Sequence, residues 1–92
     1  MLEKLLRGYL HQDYDLHYGN VDQALVAFRD DATEEENRRT IAEIDTLLAA
    51  YPHDRELYEQ LRRRGFIFYP PRDGETTRSW LQRARAALVQ PT

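Results

Sequence analysis

The chain of 92 residues lacks cysteine and has no long apolar run and no low-complexity segment. The absence of cysteine excludes disulfides, thiolate nucleophiles and cysteine metal ligands, and it fits a reducing compartment. Because no run of about 18 apolar residues occurs, we expect no transmembrane helix. Glu3, Lys4 and Arg7 interrupt the first ten residues, so we expect no signal peptide. The sequence therefore predicts a cytoplasmic protein that does not enter a membrane.

Charge is divided unevenly between the two halves of the chain. Residues 1–51 carry 5 Lys or Arg and 11 Asp or Glu, a net charge of -6, whereas residues 52–92 carry 8 and 5, a net charge of +3. An acidic half lacks the clustered cations that nucleic acid requires. The hydrophobic fraction of 41% and the charged fraction of 32% are typical of a globular protein. We expect one domain over residues 1–92 that recognises a basic protein partner.

Apolar residues at helical spacing predict an all-α fold, a compact bundle of about five short helices. The first helix is expected to begin near Leu2 and to end between His11 and Asp15. The second is expected to follow a cap at Asn20 or Asp22. The core-facing positions of these two helices are predicted to be Leu2, Leu5, Leu6, Tyr9, Leu10, Val21, Ala24, Leu25 and Phe28.

The third helix has the clearest start in the chain. Thr33 and Glu36 have the spacing of a capping box, in which each side chain accepts a hydrogen bond from the other residue's amide. Pro52 is expected to end this helix, since the residue before a proline is driven out of the helical region. Its inward positions are predicted to be Ile41, Ile44, Leu48 and Tyr51, and its outward ion pairs Glu34 with Arg38 and Glu35 with Arg39.

Two further helices are predicted on either side of an aromatic segment. Asp54 is expected to cap the fourth helix, and Gly65 to end it in the left-handed conformation. Residues 66–71 are β-rich in composition but contain two prolines, so we expect one extended aromatic and Pro-rich strap rather than a central strand. Thr76 or Thr77 is expected to cap the last helix. The inward positions of these helices are predicted to be Leu57, Tyr58, Leu61, Trp80, Leu81, Ala84, Ala87 and Leu88.

The segment from Tyr9 to Gly19 has the highest density of functional side chains. If it were extended, His11, Asp13, Asp15 and His17 would share one side, and imidazole and carboxylate groups are ligands for zinc and other divalent ions. A small metal-dependent enzyme is therefore the alternative function. We favour a structural use, because Asp13 and Asp15 also suit a turn, and we expect no metal and no cofactor.

A protein-binding surface is the favoured interpretation of the remaining polar residues. Tyrosines are enriched where a surface meets a partner, and an acidic helix start suits electrostatic recognition. The candidate partner-binding residues are Asp13, Tyr14, Asp15, Tyr18, Asp22, Asp30, Asp31, Glu34 and Glu35. We expect no catalytic residue among them.

The heptapeptide Y-L-H-Q-D-Y-D at residues 9–15 resembles the signature Y-F-H-Q-D-W-D of small immunity proteins of bacterial contact-dependent growth inhibition systems, the CdiI group. The resemblance continues through an acid-rich second helix to Y-P-P-R-D-G at residues 69–74 and S-W-L at residues 79–81. This chain departs from the signature at Leu10, where Phe is expected, and at Tyr14, where Trp is expected.

The resemblance implies a noncatalytic, cytoplasmic antitoxin. Such a protein binds the C-terminal toxin domain of a delivered effector and blocks its active site, and an acidic surface would imitate a nucleic-acid substrate if the toxin is a nuclease. We expect a monomer when free and a heterodimer with the toxin. A helical interaction module that has no toxin partner is a further alternative.

Overall fold

The computed structural model describes residues 2–10 and 20–89, which form five α-helices, one 3₁₀ helix and no strand. The all-α prediction and its number of helices are confirmed. In chain order the elements are α1 (Leu2–Gly8), α2 (Val21–Asp31), α3 (Glu34–Ala50), α4 (Asp54–Arg63), the 3₁₀ helix (Pro70–Asp73) and α5 (Thr77–Val89). No helix in this part of the chain has the length and apolar character needed to cross a membrane.

The last helix, α5, is the centre of the bundle and lies against α2, α3 and α4. Trp80, Leu81, Ala84 and Leu88 are buried on its inward side, as their spacing predicts, while Ala87 is half-buried. Burying one leucine of this kind stabilises the fold by about 2 kcal/mol. Because three helices cover α5, its apolar stripe lies at the centre of the core.

The inward side of α3 differs from the prediction. Ile44 is fully buried, but the other three residues expected there are only half-buried: Ile41, Leu48 and Tyr51. Thr40 and Leu47 are buried in addition. The sequence did not mark Thr40 as a core residue because it is polar, but its hydroxyl donates a hydrogen bond of 2.9 Å to the carbonyl oxygen of Glu36. Burial therefore leaves that donor satisfied.

The first helix is shorter than predicted and ends at Gly8. The amides of Tyr9 and Leu10 both donate to the carbonyl of Leu5, at 3.0 and 3.1 Å, which closes the last turn before the predicted range of ends. Leu10 is nevertheless buried, as expected. A glycine at the end of a helix is the physical reason, because it has a low helix propensity.

The fourth helix ends as predicted, with Gly65 in the left-handed region at φ 103°. The amide of Phe66 donates to the carbonyl of Leu61 at 3.0 Å, which is the long hydrogen bond of a Schellman motif. The Arg7 side chain of α1 crosses this turn and donates to the carbonyl of Arg64 at 3.3 Å. A Cβ on Gly65 would lie 2.5 Å from the Arg7 Cγ, so a larger residue there would also force the Arg7 side chain to shift.

The predicted role of Asp54 is wrong. The cap position of α4 is His53, whose side chain makes no capping hydrogen bond. Asp54 instead accepts hydrogen bonds from the amides of Thr77 and Arg78, at 3.0 and 2.8 Å, at the start of α5. Thr76 is the cap of α5, since its hydroxyl accepts from the amide of Ser79 at 2.9 Å. Two helix starts therefore meet at Asp54.

Other helix ends are also held by side chains from neighbouring helices. The Arg78 guanidinium of α5 donates to the carbonyls of Leu48 and Tyr51 at the end of α3, at 2.7 and 3.0 Å. The Asn37 amide of α3 donates to the carbonyl of Leu88 at the end of α5, at 2.9 Å. These bonds satisfy carbonyls that have no partner within their own helix.

The aromatic strap is non-helical from Phe66 to Tyr69, but its prolines differ from the prediction, because Pro70 and Pro71 begin the 3₁₀ helix. Proline suits the first position of a helix, where its missing amide donor costs nothing. The strap is attached to the core by Phe66, whose ring centroid lies 4.7 Å from that of Trp80. Ile67 and Tyr69, which alternate with Phe66 and Phe68 along the strap, remain exposed.

Candidate functional site

The acidic corner is the place where α2 ends and α3 begins, and it consists of Asp30, Asp31, Glu34 and Glu35. All four residues are exposed. Only Ala32 and Thr33 separate the two helices, so the four carboxylates stay at one end of the bundle. The predicted capping box fixes the start of α3: the Thr33 amide donates to Glu36 at 2.9 Å and the Glu36 amide donates to Thr33 at 3.0 Å.

Several acids near this corner are already bound within the fold. Asp31 accepts a hydrogen bond of 2.8 Å from the Tyr9 hydroxyl, and Asp30 lies 3.6 Å from the Arg29 guanidinium. Glu35 pairs with both Arg38 and Arg39. The pairing of Arg39 was predicted, whereas Arg38 was expected to pair with Glu34 and pairs with Glu35 instead. Only part of the negative charge is therefore available to a partner.

Glu36 and Asp45 are further carboxylates that the fold uses. The hydrogen bond from the Thr33 backbone and the nearby Lys4 ammonium hold the pKa of Glu36 below its ordinary value. Arg85 donates to Asp45 at 2.6 and 3.0 Å, which lowers the pKa of that carboxyl. Both groups stay ionised well below neutral pH, and both already have a cation partner.

Asp22 and Glu34 are different, because neither forms a hydrogen bond or an ion pair through its side chain within residues 2–10 and 20–89. Asp22 shares the outward side of α2 with Val26 and Asp30, at spacings of four residues. Val26 is 37% exposed and stands between the two acids. The sequence prediction did not single out this valine. It directly follows the buried Leu25 on a helix, so its side chain points about 100° away from the buried stripe.

Four of the predicted partner-binding residues lie outside the described residues: Asp13, Tyr14, Asp15 and Tyr18. The same holds for His11 and His17, so the predicted metal-ligand set stays a prediction. The described chain stops beside the end of α2, where the Tyr9 ring lies 5.3 Å from that of Phe28. It resumes at Asn20, which caps α2 by accepting from the Gln23 amide at 2.8 Å. Within residues 2–10 and 20–89, no group of three or more potential ligands could hold a metal.

A second surface, which the sequence analysis did not single out, lies on the outer side of α4. We call it the α4 face, and it consists of residues that line two depressions beside α4 and of their exposed neighbours Arg62 and Ile67: Tyr51, Asp54, Arg55, Glu56, Tyr58, Glu59, Gln60, Arg62, Arg63, Ile67, Tyr69 and Pro71. It contains an open depression of about 350 Å³ between α4 and the strap. The Tyr58 and Tyr69 rings meet edge-on there, with centroids 5.3 Å apart. The signal in the sequence was the pair of large side chains in the strap, Ile67 and Tyr69, which alternate with the buried Phe66 and the half-buried Phe68.

Both surfaces are the kind that an interaction protein presents: exposed charge beside exposed apolar side chains on a rigid helical scaffold. The model of the CdiI immunity protein family matches residues 1–88, and the chain belongs to this family. No curated protein matches the chain.

A solved structure supports the same assignment. The chain is similar to a chain of the crystal structure of a CdiA-CT/CdiI complex from Y. kristensenii, with 34% sequence identity and a TM-score of 0.86. The similarity covers 95% of this chain and 94% of that chain. The resemblance read from the heptapeptide at residues 9–15 is thereby confirmed.

Proposed function

We propose that this protein is an immunity protein that binds and neutralises the C-terminal toxin domain of a contact-dependent growth inhibition effector. The observation that carries the proposal is membership of the CdiI immunity protein family over residues 1–88. The similarity to a chain of a CdiA-CT/CdiI complex supports a toxin domain as the partner. The protein acts by binding alone, without catalysis, in the cytoplasm, as a monomer that becomes a heterodimer with the toxin.

Recognition of the toxin domain begins with electrostatic attraction. Asp22 and Glu34 are exposed and form no side-chain hydrogen bond or ion pair within the described residues. Asp13 and Asp15 lie outside the described residues and stay candidate partner-binding residues. A basic toxin domain is attracted to such an acidic surface over about one Debye length, roughly 8 Å at physiological salt. This attraction raises the association rate above the roughly 10⁵ to 10⁶ M⁻¹s⁻¹ of an unsteered pair.

Binding kinetics against the C-terminal toxin domain of the cognate effector test both the immunity function and its electrostatic recognition. The double variant Asp22→Asn with Glu34→Gln removes two uncommitted charges without touching those that hold the fold. We expect its association to be several-fold slower than that of the wild type at low salt and equal to it at about 1 M salt, where the Debye length is about 3 Å. The measurement is surface plasmon resonance at four salt concentrations.

The matched control changes net charge by the same amount at another place. The double variant Gln82→Lys with Ala86→Lys adds two positive charges at exposed positions of α5. Its association rate should change less than that of the acidic-surface variant. If the wild type binds but neither salt nor the acidic variant alters association, then acidic recognition is wrong. If the wild type forms no complex, then the proposed function itself is wrong.

A further inference from the structure

The α4 face exposes more apolar side chain than its surroundings require. Ile67 is 52% exposed and Tyr69 is 49% exposed, and they are two of the four large hydrophobic residues exposed in the described part of the chain. Both belong to the strap and lie within two residues of each other. The strap is held in place by Phe66, which is 3% exposed. A rigid segment therefore displays two apolar side chains beside α4.

The shape of this face suits side chains of a protein. One depression, of about 350 Å³, lies between α4 and the strap, and a second, of about 480 Å³, lies on the other side of α4 beside Tyr51. Arg55 and Glu59 line both depressions, so they form a ridge between them. Tyrosine and arginine are the residue types that dominate the centres of protein interfaces.

The charge of the face indicates the chemistry of its occupant. Three exposed arginines, Arg55, Arg62 and Arg63, stand beside Glu56 and Glu59, while the nearby Asp54 is already bound to the amides of Thr77 and Arg78. Arg62 lies 3.9 Å from Glu59, and Arg55 and Arg63 make no ion pair within residues 2–10 and 20–89. A guanidinium binds a carboxylate through two parallel hydrogen bonds. The interleaved glutamates would repel a continuous phosphate backbone, which favours a protein over a nucleic acid.

We propose that the α4 face docks an acidic segment of the toxin domain, with an apolar side chain seated between Ile67 and Tyr69 and carboxylates bound by Arg55 and Arg63. This proposal rests on the proposed immunity function and adds the surface that holds the complex together. Both surfaces contact the α1 region, since Arg7 donates to the carbonyl of Arg63 at 3.4 Å and the Tyr9 hydroxyl donates to Asp31 at 2.8 Å. A partner that buries about 800 Å² covers a patch roughly 30 Å across, enough for one toxin domain to reach both.

The two surfaces then have separate kinetic roles. Charges that attract at long range govern association, whereas buried anchors govern dissociation. Loss of an α4-face anchor should therefore speed dissociation, and a variant that changes no charge, such as Ile67→Ala, should leave association nearly unchanged. The variants are Ile67→Ala, which removes an exposed apolar side chain, and Arg55→Glu, which reverses one uncommitted charge.

The experiment measures dissociation of the full-length protein from the toxin domain by surface plasmon resonance. We expect dissociation about tenfold faster or more for each variant, the effect typical of an interface hot spot. The matched control is Val89→Ala, because Val89 is also 52% exposed but lies at the far end of α5. This control should stay within about twofold of the wild type. Thermal melting by circular dichroism checks that each variant is folded.

The result that would overturn this inference is clear-cut. If the wild type binds the toxin but Ile67→Ala and Arg55→Glu dissociate no faster than Val89→Ala, then the α4 face does not hold the toxin. Binding of short RNA that Arg55→Glu abolishes, with toxin dissociation unchanged, would also overturn it and assign the face to a polyanion. Absence of any complex with the wild type would instead reject the immunity function on which the inference rests.

Discussion

Thr40 and Thr77 are both fully buried, but their hydroxyl groups differ in what they bind. The Thr40 hydroxyl donates to the Glu36 carbonyl at 2.9 Å. The Thr77 hydroxyl oxygen has no hydrogen-bond partner within the described chain. A buried polar group without a partner costs free energy, whereas a satisfied one stabilises slightly.

Replacing each threonine by valine, which has the same shape, separates these two cases. We expect Thr40→Val to lower the free energy of unfolding by about 1 kcal/mol, since a hydrogen bond is lost. Thr77→Val should leave it unchanged or raise it by up to about 1 kcal/mol, since an unsatisfied group is removed. Urea denaturation of the two variants measures the difference. Equal losses for both would show that the Thr77 hydroxyl is satisfied in solution.

Residue-level predictions from the sequence succeeded where the interacting groups are close along the chain. The Thr33 and Glu36 capping box and the left-handed Gly65 depend on residues within one turn, so their spacing alone identifies them. The role of Asp54 depends on amides 23 and 24 residues later. An aspartate before a helical pattern is normally the cap of that helix, and no local pattern distinguishes the exception.

The helices of this small bundle are joined end to side by polar contacts as well as by the core. Asp54 of α4 binds the start of α5, and Arg78 of α5 binds the end of α3. Arg7 of α1 binds the end of α4. A carboxylate that accepts from backbone amides at a helix start gains from both the hydrogen bonds and the helix dipole.

Removing the Asp54 carboxylate should therefore destabilise the whole bundle. We expect Asp54→Ala to lower the free energy of unfolding by about 1 to 3 kcal/mol, because two amides at the start of α5 lose their acceptor. Glu56→Ala is the matched control, since Glu56 is an exposed acid in the same first turn of α4. Chemical denaturation with urea compares the two. If Asp54→Ala costs no more than the control, then the cap between helices contributes nothing.

Element boundaries could be predicted to within a few residues wherever a cap or a proline marks them. The start of α3 and the end of α4 were predicted correctly, but the end of α1 was placed too late because Gly8 was treated as a weak helix residue rather than as a terminus. The inward stripe of α3 was only partly correct, because α1, α4 and α5 cover it from several directions. Apolar periodicity identifies a single buried stripe, so it does not identify residues beside that stripe, such as Thr40 and Leu47, that neighbouring helices also bury.

At the scale of the whole molecule, the α1 region contacts both candidate surfaces. Arg7 donates to the carbonyl of Arg63 on the α4 face at 3.4 Å, and Tyr9, just after α1, donates to Asp31 at the acidic corner at 2.8 Å. The acidic surface was predicted from the sequence, and its binding role stays a prediction. The α4 face was missed because its residues lie on two successive elements, α4 and the strap, whose packing against each other has no local sequence pattern.

Growth of cells that express the toxin domain tests the central claim, neutralisation of that toxin, most directly. The C-terminal toxin domain of the cognate effector is induced in cells that carry this chain and in cells that carry an empty vector. In a third culture, an unrelated toxin domain is induced in cells that carry this chain. The account predicts normal growth rate in the first case and arrest in the other two. Arrest of the first culture, with the chain present at levels equal to or above the toxin, would contradict it.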